Sequence, residues 1–137
     1  MPSTLYHYRG WVLGACFLIL LVSACQTFFL VVPTVKRSSV DLTFKEDHLL
    51  SSEVFTPCLL TLEVYDMGGD LPQVIWSIRS RSESCVRVES IRIGAVPEGF
   101  VRVGDALPLQ AGGRYRVDAE DGNLRKGAGE FSMPQRN

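Results

Sequence analysis

From Ser38 onward, apolar and polar residues alternate with period two between turn signals, the pattern of half-buried strands. Val40, Leu42 and Phe44 alternate with Asp41, Thr43 and Lys45. Cys58, Leu60, Leu62 and Val64 alternate with Leu59, Thr61, Glu63 and Tyr65, and Asp66-Met67-Gly68-Gly69-Asp70 then breaks the run. Val74, Trp76 and Ile78 alternate with Ile75, Ser77, Arg79 and Arg81. Val86 and Val88 follow Cys85, but Ile91 and Ile93 resume in the opposite phase, which predicts a bulge or bend at Glu89-Ser90. Tyr115, Val117 and Ala119 make a further run, and Phe131 and Met133 a short final one. Residues 47–54 are ambiguous and compatible with a helical turn. No segment carries a sustained 3.6-residue apolar stripe. Six or seven short antiparallel strands in about 100 residues predict an all-β domain over residues 38–137. The architecture expected is a small antiparallel two-sheet β-sandwich, immunoglobulin-like or transthyretin-like.

The start of the chain follows another pattern. Residues 1–10 hold one formal charge, Arg9, and an apolar run from Trp11 to Ala24 ends at Cys25. A charged start, an apolar core and a small-residue end match a secretory signal. Val22-Ser23-Ala24-Cys25 also resembles a lipobox, in which small residues admit the chain to a peptidase and Cys25 takes the lipid. The expected division is a lipoprotein signal peptide (an apolar helix) over 1–24, a membrane-proximal tether over 25–37 and the β-domain beyond. Gln26 rather than Asp follows the cysteine, which by the sorting rule of such lipoproteins favours the periplasmic side of the outer membrane. The alternatives are cleaved secretion without a lipid, or an uncleaved inner-membrane helix from Trp11 to Val32. That span is 22 residues, long enough to cross a bilayer. All these readings export the body of the chain.

Composition adds exclusions. The 137 residues carry 14 basic and 15 acidic side chains, a net charge of −1. Cleavage after residue 24 removes Arg9 and leaves 13 basic against 15 acidic residues. No basic field exists to gather phosphates, so nucleic acid is not expected as a partner. Of the four cysteines, Cys16 and Cys25 precede the body and Cys58 and Cys85 lie within it. In an oxidising compartment the latter two most simply pair, with two buried free thiols as the alternative. Trp76, between them in sequence, is expected to pack near the sulfurs.

Chemistry is sparse. Beyond Cys25 there is one histidine, His48, and no nucleophile motif, phosphate loop or zinc spacing accompanies it. No catalytic residue, metal site or cofactor is expected. Asp66 and Asp70 do not follow the ligand spacing of a calcium loop. Arg79, Arg81, Arg87, Arg92, Arg114 and Arg116 fall mostly on polar strand faces among Glu83, Glu89, Asp118 and Glu120. They fit either cross-strand ion pairs or a face that meets an acidic partner. Asp66, Asp70, Arg79 and Arg81 are the candidate partner-binding residues, with 46–55, 66–71 and 120–126 as candidate contact loops.

One stretch has a wider resemblance. The Trp76 strand is followed by Cys85, then Ile91, Gly94, Pro97, Gly99 and Phe100, then Pro108, Leu109, Gly112 or Gly113, Tyr115 and Val117. The order of these segments resembles the small periplasmic lipoproteins of the type VI secretion immunity family. The match spans about 60 residues, much of it the turn grammar of β-domains. It implies a compact β-domain that neutralises a cognate toxin by stoichiometric binding, tethered where the toxin acts. A structural or assembly lipoprotein of an envelope or secretion machine is the alternative.

Overall fold

The computed structural model describes residues 28–46 and 55–135. The signal segment, Cys25, the expected N-terminal helix and the ambiguous stretch 47–54 lie outside the described residues. Every regular element described is a strand: β1 (Phe28–Val35), β2 (Val40–Glu46), β3 (Cys58–Asp66), β4 (Gln73–Ser80), β5 (Val86–Arg87), β6 (Ser90–Arg92), β7 (Phe100–Arg102), β8 (Arg114–Asp121) and β9 (Lys126–Ser132).

The all-β expectation holds, but the strands do not divide into two sheets. They form one sheet in the order β6-β2-β1-β9-β8-β3-β4-β7, with β5 added to β3, curled into a half-barrel around a single core. The expected purely antiparallel pairing also changes, because β1 runs parallel to β9 through Phe28–Lys126, Phe29–Gly127 and Leu30–Ala128. The physical reason is β1 itself. Phe28–Val35 follows the apolar signal without a break and reads as its extension or as a tether. In the structure it alternates instead, with Phe29 and Val31 buried and Phe28 and Leu30 exposed. It fills the place between β2 and β9 and joins what would otherwise be separate sheets. The sheet thus includes Phe28–Val35, ahead of Ser38, and the last residues of the supposed span to Val32 are strand.

Two β-bulges account for the other departures from the simple alternation. On β3, Leu59 pairs Asp121 and Thr61 pairs Glu120, so Leu60 is the extra residue and the phase reverses there. Leu59, rather than Cys58 or Leu60, therefore joins Leu62 and Val64 in the core. On β4, Val64 pairs Trp76 and Tyr65 pairs Val74, leaving Ile75 extra. Ile75 and Trp76 are both buried as a result, while Val74 faces solvent. The phase change at Glu89-Ser90 is where the chain leaves β3, paired by β5, for β2, paired by β6. Residues 94–99 then cross the open side of the half-barrel to β7.

The sheet has two ends. Phe28, Glu46, Cys58, Ser80, Asp121 and Lys126 mark the entry end; the β1–β2 turn, the β3–β4 turn, Arg114 and Ser132 mark the turn end. At the entry end Cys58 and Cys85 form a disulfide with Cα atoms 5.1 Å apart. Trp76 is not beside it. Trp76 pairs Val64, six residues along β3 from Cys58 and so roughly 20 Å away.

Two outcomes follow. A fragment beginning at residue 38 loses Phe29 and Val31 from the core and exposes the edges of β2 and β9; its urea unfolding, followed by near-ultraviolet circular dichroism, should lack the cooperative transition that a chain beginning at residue 26 retains. Replacing both Cys58 and Cys85 by Ser should lower the unfolding free energy by about 3–4 kcal/mol, the loop-closure value for a 27-residue separation, read as a lower urea midpoint.

Candidate functional site

The structure separates the four candidate binding residues into two groups. Asp66 ends β3 and Asp70 lies in the turn before β4, both at the turn end. Asp66 Oδ1 accepts the Gly68 N–H at 2.8 Å, so this carboxylate shapes the turn, whereas Asp70 is exposed. Arg79 and Arg81 lie at the entry end, separated from the aspartates by the length of β4, roughly 25 Å. Near them Arg87 pairs Cys58, and Arg79 pairs Thr61, three residues further along β3.

The two readings of the arginines are now divided residue by residue. Arg92 Nε donates to Asp41 across β6 and β2 at 2.9 Å, and Arg116 Nη2 donates to Asp118 on its own strand at 2.6 Å. Arg79, Arg81, Arg87 and Arg114 form no ion pair among the described residues. Hydrogen bonds from Arg92 and Lys36 hold the Asp41 carboxyl down to about 2. Its contribution to stability is therefore present above the ordinary carboxylate range and is lost as pH falls toward that value.

Several charges on the outer face of β3, β8 and β9 are paired within the sheet. Tyr65 Oη donates to Glu63 at 2.5 Å, Arg116 pairs Asp118, and Lys126 pairs Glu120. The Arg116 guanidinium lies 5.2 Å from the Tyr65 ring centre. The candidate loop 120–126 is likewise self-contained. Asp121 is fully buried; its Oδ1 accepts the N–H groups of Asn123 and Arg125 at 2.9 Å each, and its Oδ2 accepts Arg125 Nε at 2.6 Å. Arg125 in turn stacks on Phe55 at 4.7 Å. These contacts tie Asp121 and Arg125 into the scaffold and leave Leu124, 72% exposed, as the loop's apolar tip.

The turn end contains a cavity of about 340 Å³ whose walls include Arg37, Ser38, Trp76, Ile93, Leu107 and Met133. It sits where the half-barrel's edges fail to meet: β6 leads into Ile93 on one side, and Leu107 lies along β4 on the other, its N–H bonded to Ile75 O at 2.8 Å. Trp76 is 1% exposed, and its Nε1 is buried with no acceptor among the described residues. Leu71, Val74 and Leu107 are exposed apolar residues of the same end, Leu71 at 81%. Sequence reasoning missed this site because its residues come from five separated segments. The one available signal was the density of Gly and Pro between Gly94 and Gly113, which marks long irregular chain without showing what it encloses.

No protein-family model matches the chain, and no curated protein is similar to it in sequence.

The Tyr65–Glu63 bond, with burial adding to it, raises the Tyr65 phenol to about 12. The stabilisation this represents is complete below the ordinary phenol range and disappears as pH rises through about 12. Ultraviolet titration should therefore show Tyr65 ionising late, and Glu63→Gln should return it toward 10.0.

Proposed function

We propose that the chain is a membrane-anchored periplasmic binding protein, an immunity protein that neutralises a cognate type VI secretion toxin by stoichiometric binding. The observation that carries this reading is a disulfide-tied scaffold bearing side chains without partners among the described residues. Arg79, Arg81 and Arg87 at one end and Leu71, Val74 and Leu107 at the other are of this kind. Arginine and exposed apolar residues are typical contact groups of protein interfaces. The Cys58–Cys85 bond agrees with export, since structural disulfides persist in oxidising compartments. The order of turn and strand residues from Trp76 to Val117 supports the immunity assignment within that class.

In this reading the signal over 1–24 is removed and Cys25 carries the lipid. Gln26 and Thr27 then separate the lipid from β1, a leash of roughly 7 Å when extended. The entry end stands close to the outer membrane, and the turn end with its cavity faces the periplasm. The sheet acts by covering part of the toxin, with no cofactor and no chemical step of its own.

Deletion of the gene should make cells sensitive to contact killing by sister cells, with protection restored when one effector gene of the attacker is removed. Unchanged survival would falsify the immunity reading and favour an assembly role. Labelling with radioactive palmitate should mark the wild-type protein and leave Cys25→Ala unlabelled; a labelled variant would exclude acylation at that residue.

A further inference from the structure

We infer that the turn-end cavity is the anchor pocket for the partner, and that it takes a large apolar side chain with a carboxylate beside it. The walls define this chemistry. Ile93, Leu107 and Met133 supply apolar surface, and about 340 Å³ is room for one large side chain rather than a folded element. The polar groups are donors. Trp76 forms part of the wall with its indole N–H buried beneath the surface, and Arg37 contributes an exposed side chain with no ion pair among the described residues. Ser38 adds a hydroxyl, and no acidic residue is found among the described lining. A set of donors around apolar walls therefore selects an apolar group bearing an anionic oxygen and rejects a basic or purely apolar one.

The surroundings favour a protein segment as the source of that group. Leu107, 45% exposed, and the neighbouring Pro108 and Leu109 carry the apolar lining out to the surface, so a chain seated in the cavity continues along them. Arg37 sits beside the β1–β2 turn, where a carboxylate flanking the buried side chain meets it. The identification of that segment as the toxin's rests on the immunity reading above; the ligand chemistry does not.

The experiment has two arms. The mature chain from Cys25, labelled with nitrogen-15 and held in detergent, is titrated with N-acetyl-phenylalanine and with N-acetyl-phenylalaninamide, following the indole N–H resonance of Trp76, the one tryptophan beyond residue 24. The acid should shift that resonance saturably in the millimolar range, and the amide should bind at least tenfold more weakly. Arg37→Gln should abolish the difference between them, and Ala106→Trp, which fills the cavity from its exposed wall, should abolish the shift. A Trp76 signal unmoved by the acid, an equal response to acid and amide, or an undiminished response in Ala106→Trp overturns the pocket. In the second arm, Arg37→Glu and Ala106→Trp are expressed in the deletion strain and should fail to protect it. If they protect as well as wild type, the pocket is not the toxin contact and the immunity reading stands. If the deletion strain was never sensitive, the toxin is excluded as the partner, and the titration still decides the ligand chemistry.

Discussion

The parallel contact between β1 and β9 holds the architecture together. On one side of it stand β6, β2 and β1, and on the other β9, β8, β3, β4 and β7. Three residue pairs make the junction, and they need an unusually close approach. A Cβ on Gly127 would collide with the Phe29 ring, and one on Gly129 with the Val31 carbonyl. The two glycines let β9 lie against β1, so that Phe29 can reach Phe44 and Phe55 with ring centres 6.1 and 5.9 Å away. Loss of this seam would leave a three-stranded piece and a six-stranded piece (β5 included), each with an open edge and half a core.

Curling one sheet, rather than stacking two, explains where the turn-end cavity arises. A closed barrel would fill its interior with side chains, and a sandwich would press its faces together at about 10 Å. This sheet closes only part of the circle. The gap between its edges is crossed by irregular chain at 94–99 and bordered by 103–113, and at the turn end that covering leaves Trp76 and Met133 as walls of an open pocket. Toward the entry end, the disulfide, Asp121 and the Ser80 hydroxyl, which donates to the carbonyl oxygens of Ser82 and Ser84, tie the loops down. The scaffold is locally rigid at one end and concave at the other.

Much of the fold was legible in the residues, for reasons that also show where legibility stops. The Val40, Leu42, Phe44 run and the Tyr115, Val117, Ala119 run are buried as their alternation predicts, because each lies in an unbulged stretch covered on one face. The two bulges were invisible, since an extra residue on one strand is defined by its partner and not by its own sequence. β1 was hidden by its neighbours: Phe28–Val32 continues a hydrophobic signal, and alternation cannot be seen when both faces carry apolar residues. Cys58 and Cys85 could be matched by count alone. Trp76 could not be placed by its position between them, because a strand carries a side chain far from a residue that is near in sequence. The candidate residues Asp66, Asp70, Arg79 and Arg81 were chosen by type and loop position, and the sheet sends them to opposite ends.

The disulfide has a temporal consequence. Cys58 and Cys85 enclose β3, β4 and the turn between them, a hairpin whose strands are close in sequence. The β1–β9 seam instead joins Phe28 to Lys126, almost the full described length of the chain. Local pairings form faster than those needing long loops to close. The β3–β4 hairpin and the β1–β2 hairpin can therefore form while the last strand has yet to arrive, and only the edge of β1 that faces β9 must wait for it. The seam between β1 and β9 is then the last part of the sheet to close, and the core on its two sides is joined only at that point.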